Sequence, residues 1–325
     1  MKPHNKRVRL TKTDLSLFPP LEYLNIIVYF SADLRQPGGL LGSWGECIGS
    51  RFSDDVVLDS EVGLSVTRSD RPSENSVGPW TFSDDVNWYR YNNDDVDLMA
   101  ISRSPDVFPG GIKWVSVYAE QQGHRAPRSL MAFDHVWCIS LDAYNSYPMK
   151  QADCTAVLSV ATHLFSGWGK ESTQSTRFAD DIVRAAVRAG DVYYAFVLTS
   201  SYRDDNSGWS YSDAGPNSPN IRFGIENDLW REAREGRRGK VRGVYSGQYL
   251  SPVHLTALGG KERFIDDLIR VRDRRDDIVT DLGDKGMILR VTPTPIDGGV
   301  YGIGIGGSGL GTFIFRRFRE AGLFL

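Results

Sequence analysis

The first half of the chain alternates short apolar runs with polar stretches rich in glycine and proline. Residues 23–30 (YLNIIVYF) are apolar almost throughout, the pattern of a strand buried on both faces. A glycine-rich segment follows, with Gly38, Gly39, Gly42, Gly45 and Gly49. Four more runs, 62–66, 96–102, 112–119 and 135–141, predict strands. In the third of these, Trp114, Val115, Val117 and Tyr118 mark a core strand.

The second half changes period. Residues 152–165 place Val157, Val160, Ala161 and Leu164 on one helical face, with Gly167 as a stop. A second helix is predicted over 176–189, on the stripe Phe178, Ile182, Ala186 and Ala189. Residues 192–199 (VYYAFVLT) read as a strand, 200–220 as a long exposed loop, and 226–235 and 261–272 as helices. A last strand over 287–292 is ended by Pro293 and Pro295. These elements predict an α+β fold of mixed or mainly antiparallel sheets with helices packed on them. The expected divisions are a basic arm (1–22), a β-rich half (23–145), an α/β half (146–297) and a Gly-rich tail with a short helix (298–325), within one continuous domain or several.

RFSDDVV (51–57), RFADDIV (177–183) and RFIDDLI (263–269) echo one another. The first leads toward a strand, whereas the other two fall in predicted helices, where early acids would counter the helix dipole. A true repeat would keep one structural context, so coincidence is the preferred reading.

Composition narrows the function classes. The 325 residues suffice for a sizeable core, and 38 basic against 41 acidic side chains predict no general attraction to nucleic acid or acidic membranes. Cys47, Cys138 and Cys154 form no C-x-x-C pair and read as buried free thiols. With no apolar run near the length of a membrane span, a cytoplasmic location is expected.

Candidate chemistry is sparse. Gly304, Gly306 and Gly309 satisfy G-x-G-x-x-G, with a helix expected near Thr312, but no acidic residue follows about 20 positions on to hold a ribose. Asp95 and Asp97 form a D-x-D that would suit a divalent metal with a sugar nucleotide, a triplet common by chance. None of His4, His124, His135, His163 and His254 has metal-site spacing. The arginines from Arg231 to Arg242 are interleaved with acids and read as a solvated helix face rather than a phosphate-binding patch. No catalytic residue, cofactor or metal is expected.

Two segments read as contact surfaces. Residues 78–98 mix Trp80 and Trp88 with Asp84, Asp85, Asp94, Asp95 and Asp97, and 201–216 repeat the mixture with Asp204, Asp205, Trp209 and Tyr211. Aromatic anchors among like charges suit a complementary partner. The alternative for 78–98 is alternation, with rings inward and acids in water.

The succession LFSGWGKE (164–171), GVYSGQYLSPVHLTALGGKERF (243–264) and GMILRVTPTPID (286–297) resembles bacterial polymorphic-toxin immunity proteins of the immunity protein 52 kind, including those beside type VI secretion effectors. In that family a strand and turn lead to a short helix ending in Leu-Gly-Gly, then a further helix and a strand. The residues agree physically: Ser251 caps, Pro252 suits the first helical position, Gly259 or Gly260 exits, and Val253, Leu255 and Leu258 pack inward. The resemblance implies an inhibitor that occludes a cognate toxin without catalysis. The alternatives are a nucleotide- or sugar-nucleotide-dependent enzyme and a nucleic-acid binder.

Overall fold

The computed structural model describes residues 22–32, 38–52, 60–68, 81–82, 88–92, 112–121, 135–143, 152–165, 173–201, 236–272, 278–295 and 309–324. Eleven strands are present among them: β1 (Glu22–Ala32), β2 (Ser60–Arg68), β3 (Thr81–Phe82), β4 (Trp88–Asn92), β5 (Ile112–Gln121), β6 (His135–Ala143), β7 (Ala152–Ala161), β8 (Asp191–Ser201), β9 (Gly247–Leu250), β10 (Val279–Asp281) and β11 (Met287–Arg290). They join in one sheet in the order β10-β11-β9-β8-β1-β7-β6-β5-β2-β4-β3. Every neighbouring pair is antiparallel. Five helices accompany the sheet: α1 (Gly38–Phe52), α2 (Thr173–Ala189), α3 (Pro252–Ala257), α4 (Lys261–Arg272) and α5 (Gly309–Glu320). The α+β class with antiparallel pairing follows directly.

Alternation along β1 explains the layering. Ile27 and Tyr29 join Tyr194, Phe196 and Leu198 of β8, Leu250 of β9 and Met287 and Leu289 of β11 in one core. Phe264, Ile265 and Leu268 of α4 and Leu310, Ile314 and Phe318 of α5 cover that face. Because side chains alternate along a strand, Ile288 and Arg290 of β11 point the other way. There Arg290 Nε donates to Asp180 Oδ2 of α2 at 2.6 Å, and a second guanidinium nitrogen also reaches that oxygen. Asp180 lies inside RFADDIV and is buried in mid-helix, so it serves this ion pair rather than the helix dipole. Burial holds its carboxyl above the ordinary range even with Arg290 against it.

Residues 152–165 depart from the helix that their spacing predicts. They form β7 and a 3-10 turn, Thr162–Leu164, with β7 paired between β1 and β6. Ala156, Val157, Leu158, Ser159 and Val160 are all buried, so this stretch is covered on both faces and its largely apolar run matches helical and strand templates alike. His163 accordingly lies in the turn, not in a helix.

Segment 38–52 is the converse case. Despite its five glycines it is helical, because Leu40, Trp44 and Ile48 recur every four residues and are all buried. Trp44 is fully enclosed and its indole donates to the Ile182 carbonyl at 3.0 Å, docking α1 on α2. That packing outweighs a glycine penalty of about 1 kcal/mol per residue. Cys47, on the same helix, is half-buried rather than buried.

The strands expected at 62–66, 112–119, 135–141 and 192–199 are present as β2, β5, β6 and β8, and that at 287–292 as the shorter β11. The strand at 96–102, the helix at 226–235 and the loop over 202–220 lie outside the described residues. Ala189 closes α2 exposed to solvent rather than in its buried stripe. No helix among the described residues is long and apolar enough to cross a membrane.

Candidate functional site

Most of the acidic-aromatic residues singled out as a contact surface (Trp80, Asp84, Asp85, Asp94, Asp95, Asp97, Asp204, Asp205, Trp209 and Tyr211) lie outside the described residues. Trp88 opens β4, in register with Thr67 of β2. Of the tail glycines, Gly304 and Gly306 also lie outside, and Gly309 begins α5 three residues before the expected start. No group of three His, Cys, Asp or Glu among the described residues is placed to hold a metal ion.

The best-defined polar arrangement is built on residues 240–260. Ser251 caps α3 from extended backbone and Pro252 follows at the first helical position. At the far end, Gly260 N–H donates to Leu255 O at 2.9 Å and Gly259 N–H to Thr256 O at 3.0 Å. This 6→1 and 5→2 pair is a Schellman exit, and φ values of 93° and 105° at Gly259 and Gly260 explain the double glycine. Leu255 and Leu258 are buried as expected. Val253 is not: it is 60% exposed, because a helix of six residues can turn only one narrow face to the core.

His254 is fully buried at the third helical position. Nε2 lies 3.0 Å from the Lys240 carbonyl, which can only accept, so Nε2 carries the proton. Nδ1 then accepts from Ser251 N–H at 3.2 Å, with Ser251 Oγ 2.9 Å away. Burial lowers the imidazole pKa to about 4. A neutral ring with both nitrogens engaged is a structural tie between α3 and the strand-like segment before β9, not a general base.

That tie helps to place residue 242. Val241 N–H donates to Leu323 O at 2.9 Å and Lys240 Nζ to Gly322 O at 2.6 Å, so 240–241 are held by the segment after α5 as well as by His254. Between these anchors and β9 the Arg242 side chain is driven inward, to 1% exposure. The solvated helix face expected for the 231–242 arginines therefore fails at this residue, and Arg242 is inaccessible to a nucleic-acid phosphate. Arg231 and Arg234 lie outside the described residues.

Arg242 sits among aromatic rings. Its Cζ is 5.8 Å from the Phe196 centroid, and Tyr245 stacks on Phe196 at 4.1 Å. Tyr194 lies 5.7 Å from Phe196 and 6.1 Å from Tyr29, which hydrogen-bonds the guanidinium. Gln248 is in register with Phe196 and wholly buried. Burial pushes Tyr245 up to about 12 and Tyr194 well above its usual value, so both phenols are neutral at ordinary pH. Arg242 Nε and Nη2, the Tyr245 hydroxyl and both Gln248 amide atoms have no hydrogen-bond partner among the described residues. This cluster escaped the sequence reading: a basic residue in a basic run carries no mark of burial.

No protein family, curated protein or solved structure matches the chain.

Proposed function

We propose that the protein is a cytoplasmic immunity protein that binds and neutralises a cognate bacterial toxin by occluding it, with no catalysis of its own. The observation that supports this reading is the unit from β9 to β11, in which a strand, a capped short helix, a Gly-Gly exit, a second helix and a strand follow in the order that the resemblance leads one to expect. In that unit the one histidine holds structure, as a scaffold for binding requires and a catalytic turn does not. The working surface is assigned to the acidic and aromatic residues of 78–98 and 201–216.

Co-expression with the product of the neighbouring gene tests it. Rescue of growth and a complex stable through size-exclusion chromatography are expected. Loss of both would overturn the proposal. Trp209→Ala, or Asp204→Asn with Asp205→Asn, should weaken the complex while leaving thermal unfolding unchanged; unaltered affinity would remove that loop from the interface.

A further inference from the structure

The buried face of the sheet holds a cation, Arg242, two of whose guanidinium nitrogens have no hydrogen-bond partner among the described residues. A guanidinium does not escape burial by losing its proton, because its pKa lies above about 12. An unpaired ion in the interior costs several kcal/mol even after relaxation. No carboxylate of a described residue forms a salt bridge with Arg242; burial opposes its charge, while Tyr29, Tyr245 and Tyr194 favour it, Tyr29 through a hydrogen bond. The face of Phe196 offsets part of the cost, since cation–π attraction contributes about 2 kcal/mol or more when desolvated.

The unused polar atoms, all donors but for Gln248 Oε1, belong to residues that meet one aromatic ring. Arg242 Nε and Nη2, the Tyr245 hydroxyl and the Gln248 amide belong to three residues arranged about the Phe196 ring, one over it, one stacked on it and one in register beside it. Arginine offers paired N–H groups matched to two oxygens of one anion, and a hydroxyl and an amide add single donors. Water would satisfy the hydrogen bonds but not the charge.

We propose that Arg242, with the Tyr245 hydroxyl and the Gln248 amide, forms a buried receptor for one small oxyanion, a carboxylate or a phosphate taken from solution. The anion neutralises the guanidinium and ties the 241–248 segment to β8, so its binding stabilises the folded chain. This inference is independent of the toxin-binding reading, because 1% exposure keeps Arg242 out of reach of a partner's surface.

Thermal unfolding of the full chain in chloride buffer at constant ionic strength, titrated separately with sodium phosphate and sodium acetate, tests the site. A ligand that binds the folded state alone raises the midpoint progressively with concentration above its Kd. The wild type should respond to one of the two anions, and which one names the chemistry. Arg242→Met should lose the response and, in chloride, be at least as stable as the wild type, having lost a desolvated cation with two unsatisfied donors. Tyr245→Phe keeps the stacked ring and removes one donor, so its response should need several-fold more anion. A wild type indifferent to both anions overturns the proposal, as does an equal response in all three proteins, which is the mark of general salting. If Arg242→Met does not fold, an unshifted Tyr245→Phe titration is the overturning result.

Discussion

Acidification should destabilise the fold through His254, the buried histidine of the α3 turn. The imidazole is neutral in the native state, and protonation would place a second N–H at Nδ1, directly against the Ser251 N–H that it now accepts. Its pKa falls from the model-peptide value of 6.5 to about 4. A folded value depressed below the unfolded one gives stability that is complete above about pH 6.5 and lost as pH falls toward 4. At 1.36 kcal/mol for each tenfold change in proton affinity, the gap between about 6.5 and about 4 makes the loss about 3 kcal/mol. That is a large fraction of the roughly 5–15 kcal/mol that holds a typical domain together.

Urea unfolding followed by tryptophan fluorescence, at half-unit steps from pH 7.5 to 4, measures it. Other titrating groups contribute to the same curve, so the informative quantity is the difference between wild type and His254→Gln. That variant keeps an amide donor for the Lys240 carbonyl but cannot titrate. The wild-type advantage should shrink by about 3 kcal/mol across the range. A constant difference would refute the argument, as would an imidazole resonance of His254 titrating near 6.5 in the folded protein.

Three further perturbations read other parts of the structure. Arg290→Met should cost about 3–5 kcal/mol by stranding the buried Asp180 carboxylate, whereas Asp180→Leu with Arg290→Met should cost clearly less; additive losses in urea unfolding would deny the coupling. Gly286→Ala should destabilise by more than the 1–3 kcal/mol of positive-φ strain alone, because φ is 111° and an added Cβ would collide with the Leu250 carbonyl oxygen. A melting temperature within a degree of wild type would contradict that geometry. Val253→Lys, by contrast, should change stability by less than about 0.5 kcal/mol, since the side chain stands in solvent; a larger loss would restore it to the core.

The elements that were legible in the sequence are those whose pattern has a single solution. α2 and α4 alternate faces at helical period against one buried side, and β1 and β8 are β-branched and aromatic between turn signals. β7 and α1 were misleading for opposite reasons. Burial of 156–160 on both faces blurred the alternation that identifies a strand, with Val157 interrupting the polar set of Asp153, Thr155 and Ser159, and the glycines of 38–52 hid a four-residue stripe of Leu40, Trp44 and Ile48 whose long-range docking on α2 decides the structure. Tertiary burial overrode local preference in both, and it is not encoded within ten residues of the site.

The same distinction separates the two candidate sites. The 243–260 turn was readable because capping is local: Ser251, Pro252, Gly259 and Gly260 act within one helix of six residues, and His254 completes the arrangement from inside it. Arg242 acquires its character from elements distant in sequence, the aromatic residues of β1 and β8 and the chain end after α5 that pins residues 240–241. Charge in a basic run argues for solvent only while nothing fixes the backbone. Once His254, Gly322 and Leu323 hold the segment, the side chain has one direction left to it, and an interior cation follows from the anchors rather than from its own preference. A locally ordered turn therefore helps to set up the non-local electrostatic feature, in concert with the contacts from Gly322 and Leu323.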